Sequence, residues 1–323
     1  MGAVVTTVRA CLAGVIALCL LNIVACSKLR DVAQKLQPGQ AFLESQIPPG
    51  LSPQYYPPEG FVWGGYRSGT LPEARYGVAS PPINPRAQVL ILADADYPAE
   101  TYFETMHQLL NAGYGVWLLE APGQGGSGHY LMQGNAIYIG NYHDAWTTTA
   151  GFIKDIIHPT DDKPLFVIGS GYSAIQVLAL STELKDKTIV GFVGFNPYTG
   201  EPISKGQPWH RDAITAGYWG AIAQDWEDSN PDLRLRIKSE AWQKEMKKAF
   251  TELDGLHLPL ISLRSSEGHV SVFEDKSATS NDLGKASALC AHVPKCEMEA
   301  ILGPQTLGNE MAGYIKGRLP EIR

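Results

Sequence analysis

Ala112-Gly-Tyr-Gly-Val-Trp-Leu-Leu-Glu-Ala-Pro-Gly-Gln-Gly-Gly-Ser-Gly128 is the stretch whose reading decides the fold. Gly115–Leu119 within it is a continuous apolar run, too short for a helix and suited to a strand buried on both faces. Ala112-Gly113 before it stops a helix. Pro122 and the glycines after it cannot continue a strand and make a turn.

Working outward, Thr101 to Asn111 has helical spacing, with Phe103, Met106, Leu109 and Leu110 on one face. Val89–Leu92 is a short apolar strand before that helix. Leu165–Ile168, Ile189–Val193, Leu258–Leu263 and Glu297–Leu302 follow as further strands. Apolar strands alternating with helices predict an α/β fold, with a mostly parallel, doubly wound sheet covered on both faces. Residues 197–252 break the rhythm. They are polar and helical, contain Trp209, Trp219, Trp226 and Trp242, and predict a cap insertion above the carboxyl ends of the strands.

The strand and turn at 112–128 resemble those of α/β-hydrolases of the lysophospholipase and monoacylglycerol-lipase type, the serine aminopeptidase S33 group. Those proteins carry a Gly-Tyr strand entry and an Arg-Gly-(His/Gln)-Gly-x-Ser turn. Lys163–Gly169 resembles their strand into the nucleophile elbow, and Leu258–Val270 their acid-bearing strand and loop. The likeness runs from about residue 86 to the C-terminus, outside the cap. It implies an α/β-hydrolase fold and, at the site, a serine in Gly-x-Ser-x-Gly followed by an acid and a histidine.

The matched positions hold none of the three. Gly171 stands at the nucleophile position and Gly268 at the acid position. Thr306 lies near the histidine position, and no histidine follows His292. A rival frame, Gly171-Tyr172-Ser173, makes Ser173 the nucleophile, with Glu267 and His269 as improvised partners. Ile175 is bulky where that crowded turn wants a small residue. The oxyanion hole needs the Tyr172 N–H and one from the loop Ala93-Asp94-Ala95-Asp96-Tyr97-Pro98, which in the resembled family starts His-Gly. Two carboxylates there oppose developing negative charge. Asp94, Tyr97, Tyr172, Trp219 and Trp226 are the candidate pocket residues, the tryptophans equally explained as core.

At the other end of the chain, Arg9 precedes the apolar run Ala10–Leu21, shorter than a bilayer span. Ile23-Val-Ala-Cys-Ser27 resembles a bacterial lipobox. It implies a signal peptide over 1–25, lipidation of Cys26 and an outer-membrane anchor facing the periplasm; an uncleaved signal anchor is the other reading. Residues 26–60, with Pro48-Pro49-Gly50 and Pro57-Pro58, read as a Pro-rich tether that packs in part on the domain, leaving 61–323 as the hydrolase-like domain. Cys290 and Cys296 remain, read as a disulfide in an oxidising compartment or as two free thiols. The 33 acidic residues exceed the 26 basic ones, giving a net charge of −7 without a basic cluster. That argues against nucleic acid as a partner. No ligand spacing for a metal appears, and no cofactor is implied.

The expectation is therefore an envelope lipoprotein that keeps the hydrolase fold without its triad. Its partners would be the membrane, through the anchor, and either an apolar or acyl-bearing ligand or an envelope protein. An active ester hydrolase using Ser173 is the alternative.

Overall fold

The computed structural model describes residues 39–319 apart from 131–135, 185, 199–202, 212–216, 256–268, 276–290 and 292–295. The expectations at Cys26, the signal peptide, Glu267, Gly268, Cys290 and the strand Leu258–Leu263 lie outside the described residues. The described residues belong to one compact unit.

Its centre is an eight-stranded sheet in the order β1-β2-β4-β3-β6-β7-β9-β10. These strands are β1 Val62–Tyr66, β2 Ala74–Ala79, β3 Gln88–Leu92, β4 Gly115–Leu119, β6 Leu165–Ser170, β7 Ile189–Phe195, β9 His269–Asp275 and β10 Cys296–Ile301. The β1–β2 and β2–β4 pairings are antiparallel and the others parallel, with Leu92 opposite Leu119 and Gly169. The fold class is thus the expected one. The two antiparallel strands were not legible, because Val62-Trp-Gly-Gly-Tyr66 and Ala74-Arg-Tyr-Gly-Val-Ala79 carry glycines and a charge instead of an apolar run.

Successive residues of β3 feed opposite cores. Val89 and Ile91 join one face, with Phe103, Met106 and Leu109 of α1 (Phe103–Asn111) and Met311 and Ile315 of α6 (Leu307–Arg318). Leu90 and Leu92 join the other, with Phe152 of α2 (His143–Phe152) and Val177 and Leu178 of α3 (Tyr172–Glu183). Burial on both faces is why these strands read as unbroken hydrophobic runs.

The 197–252 insertion is not a separate layer over the sheet. Its first helix, α4 (Tyr218–Ser229), puts Trp219, Ile222 and Trp226 into the α1/α6 core. Its second, α5 (Glu240–Gly255), puts Trp242 and Ala249 into the α2/α3 core. Between them β8 (Ile237–Lys238) pairs in parallel with β5 (Ala136–Ile137). Trp219 and Trp226 on one helix and Trp242 on the other are spaced so that each helix grips a different face, while Trp209 lies outside both helices under the Arg234 guanidinium.

The proline-rich segment is also more embedded than a tether. From Gly39 on it follows the body of the domain: the Phe42 N–H donates to the Gly126 carbonyl at 2.7 Å, and the Gln46 N–H to Asn230 Oδ1 at 2.7 Å. Leu51 is buried. Residues 39–60 therefore pack with the hydrolase-like domain.

Candidate functional site

Strand β6 ends at Ser170 and α3 begins at Tyr172, so the whole reversal falls on Gly171. Gly171 has φ 55° and ψ −116°, a conformation that costs glycine nothing and strains any L residue. Its N–H donates to the Phe195 carbonyl at 3.0 Å and its carbonyl accepts from the Tyr198 N–H at 3.0 Å, which pins the turn to the end of β7. The strand-to-helix elbow is thus built, and a residue without a side chain occupies its apex.

The loop after β3 closes over this apex. Asp94 is buried, and its Oδ1 accepts two amide hydrogen bonds, from Ala95 N at 2.7 Å and from Tyr172 N at 3.1 Å. These are the N–H of the residue after the elbow and one from the loop following the first parallel strand, the pair that forms an oxyanion hole in α/β-hydrolases. Here a carboxylate of the protein itself already occupies it. A Cβ at Gly171 would run into Asp94 Oδ2, well inside van der Waals contact. Burial, with Asp96 nearby, pushes the Asp94 carboxyl up to about 7, against the two amides and Lys238, which hold it down.

The hydroxyls around the apex are committed elsewhere. Ser170 Oγ is hydrogen-bonded to the Tyr102 hydroxyl, whose oxygen also accepts the Asp94 N–H at 3.0 Å. Ser173 lies in the first turn of α3, where its Oγ donates to the Ala93 carbonyl at 2.5 Å. The space beside Ser173, between Tyr142, Trp146, Ile175 and Met246, holds about 20 Å³. That is room for a water and not for an ester. Ser173 is therefore not placed as the fallback nucleophile.

The other expected residues fall as follows. His269 opens β9 and pairs with Gly191, while Phe273 pairs with Phe195 beside the elbow. Four residues of strand, about 13 Å at ~3.3 Å each, separate it from the site edge. Among the described strands, β9 is the one that lies between β7 and β10. Thr306 ends the turn Pro304–Thr306, with Oγ1 donating to the Gly303 carbonyl at 3.1 Å. Cys296 opens β10, opposite Val270.

A cleft of about 730 Å³ opens above the elbow. Asp94 and Gly171 lie at its floor, with Tyr97, Phe195, Tyr218 and Trp219 among its walls and Leu302, Pro304 and Gln305 at one side. Of the pocket candidates, Asp94, Tyr97 and Trp219 are there. Tyr172 contributes only its amide, since its ring packs on Tyr198 and Trp242. Trp226 is fully buried against Phe103 and belongs to the core.

Behind the turn that identified the fold lies a second polar cluster that sequence reading missed. Arg75 is fully buried between Glu100 and Glu120, paired with the first and 3.4 Å from the second, with its guanidinium 3.5 Å from the Trp63 ring centroid. Glu120 receives the Ala99 N–H at 2.8 Å and the Gly126 N–H at 2.9 Å, tying the site loop to the glycine turn. Gly125 has φ 49°, and any side chain there would strike Glu120. Burial and Glu100 push the Glu120 carboxyl up to about 7, with Arg75 opposing. Glu120 was visible only as the first polar residue after an apolar strand; nothing in the sequence joins it to Arg75.

The sequence pattern of the family described as serine aminopeptidase, S33 matches residues 83–249. No curated protein matches the chain. Among solved structures, a soluble variant of the monoglyceride lipase of Saccharomyces cerevisiae, in complex with a substrate analog, is similar at a TM-score of 0.66 and 13% identity, covering 86% of this chain and 100% of that one. A carboxyl esterase from Bacillus coagulans in complex with glycerol is similar at 0.57 and 10%, covering 80% and 98%. The monoacylglycerol lipase of Paleococcus ferrophilus is similar at 0.51 and 14%, covering 75% and 98%.

Proposed function

The chain belongs to the serine aminopeptidase S33 family of α/β-hydrolases, and we propose that within it this protein is a non-catalytic binding module, held at the cell envelope by lipid on Cys26. The observation that carries the reading is the floor of the site. The elbow residue has no nucleophile, and the two amides that would stabilise an oxyanion already hold the Asp94 carboxylate. Acyl transfer needs both a nucleophile and donors free to receive the negative oxygen. A buried carboxylate in that place raises the barrier instead.

The cleft itself does not depend on a triad. Its volume lies in the range of small-molecule sites, and its aromatic walls suit a ligand with an apolar body. The glycerol-ester lipases and esterase among its structural neighbours support the same class of body. Anchoring rests on the lipobox-like Ile23–Ser27 and the short apolar run before it. A docking role for an envelope protein remains the alternative occupant of this face.

Labelling of the full-length protein with a fluorophosphonate tests the reading. No adduct is expected under conditions that label an active serine hydrolase to completion. An adduct mapped to Ser170 or Ser173 overturns it.

A further inference from the structure

The floor of the cleft has the opposite polarity from that of an ester-binding site. Asp94 Oδ1 is spent on the two amides. Oδ2 lies where a side chain at position 171 would start, Asp94 lines the cleft, and both amide hydrogen bonds to its carboxylate go to Oδ1. None of the described residues lining the cleft is Lys, Arg or His. The nearby cation, Lys238, is ion-paired with Asp96 and lies over the rings of Tyr172 and Trp242, away from the cleft. Among the described residues that line the cleft, Asp94 is the one that carries a charge when ionised, and Lys238 already has Asp96 as its partner.

The walls complement that charge. Trp219 packs edge-on against Tyr97 at 5.8 Å and Phe195 at 5.5 Å between centroids, and Tyr218 stands beside it at the cleft. Aromatic rings attract cations through their quadrupole, most strongly where water is excluded. A carboxylate or ester carbonyl entering here would meet Oδ2 with no donor free to receive it.

Taking the cleft as a ligand site, as the reading above does, we infer that its ligand is an organic cation: an ammonium group on an apolar body, with Asp94 Oδ2 as counter-charge and Tyr97, Tyr218 and Trp219 around it. A cation beside a buried carboxylate offsets the cost of its ionised form. Burial and Asp96 hold Asp94 near its point of protonation, and a bound ammonium would keep it ionised.

Isothermal titration of the full-length protein in detergent, with three probes of one chain length, tests the inference: hexyltrimethylammonium, hexanol and hexanoate. Saturable binding of hexyltrimethylammonium, tighter than that of hexanol and not displaced by hexanoate, is expected. Asp94→Asn keeps an oxygen for both amides and should weaken the ammonium by about 10-fold or more, as loss of a charged partner does, with hexanol unchanged. Asp94→Gly frees the two amides and should reverse the preference, admitting hexanoate and rejecting the cation. That reversal is something an unfolded variant would not show. Binding of hexanol or hexanoate at least as tight as the ammonium in the wild type overturns the inference and leaves the ligand-binding reading standing. Ammonium binding unaffected by Asp94→Asn also overturns it. No saturable binding of any probe overturns both.

Discussion

Asp94 Oδ1 lies 3.1 Å from the Tyr172 amide nitrogen, so a side chain of the β3 loop fills the position that a reacting oxygen takes in a working hydrolase. An elbow side chain and this carboxylate exclude each other in space. Asp94 fits only while residue 171 has no Cβ.

Gly171→Ser should therefore create no enzyme and a weaker protein. Left-handed strain and the collision with Asp94 together cost roughly 2–5 kcal/mol. Thermal melts of the single variant should fall well below wild type, and Gly171→Ser with Asp94→Gly should recover part of the loss. A single variant as stable as wild type would mean the contact is absent.

Asp94 also sets a pH dependence. Its carboxyl titrates near 7 when folded, above the ordinary carboxylate value of about 3.9 in the unfolded chain. Its contribution to stability is complete below about pH 4 and is lost as pH rises through 7. The melting temperature of wild type relative to Asp94→Asn should thus fall between pH 4 and 7.5. A difference that stays flat or rises across this range would contradict the burial of this carboxylate.

Arg75 is the only charge compensating Glu100 and Glu120 in the described core behind the glycine turn. Arg75→Met leaves two buried carboxylates facing each other and should cost about 3–5 kcal/mol. Chemical denaturation at pH 7.5 measures it, and a loss below 1 kcal/mol would show that the pair is solvated.

Two tryptophans of the insertion should behave differently. Trp226→Ala removes a fully buried ring from the α1/α4 contact and should destabilise by about 3–5 kcal/mol. Trp219→Phe keeps the packing and should instead weaken the binding of ligands in the cleft. If Trp226→Phe changes ligand affinity as much as Trp219→Phe, the division between wall and core is wrong.

The sequence made β3, β4, β6 and β7 plain because those strands are buried on both faces and read as apolar runs, whereas β9, His269–Asp275, alternates polar and apolar residues and was not among the expected strands. It hid β1 and β2, where Gly64, Gly65 and Arg75 break the pattern, Arg75 being accommodated in the core by the Trp63 ring and by two carboxylates distant in the chain. At the site, Gly171 was legible by its place after a strand and before a helix. Asp94 was legible as an unfavourable charge near the oxyanion hole. That it sits inside the hole depends on a turn joining residues 78 apart, which local spacing does not encode. The tryptophans of 197–252 suggested one cap, yet their partners on opposite sheet faces made two packed helices.

The absence of catalysis is measured as ester turnover by the full-length protein, with p-nitrophenyl butyrate as substrate and intact-mass detection of any acyl-enzyme. The release rate should equal that of the Gly171→Ala, Ser170→Ala and Ser173→Ala variants, with no acyl adduct on the protein. Saturable turnover abolished by Ser170→Ala or Ser173→Ala, accompanied by a butyryl adduct on that serine, would contradict it.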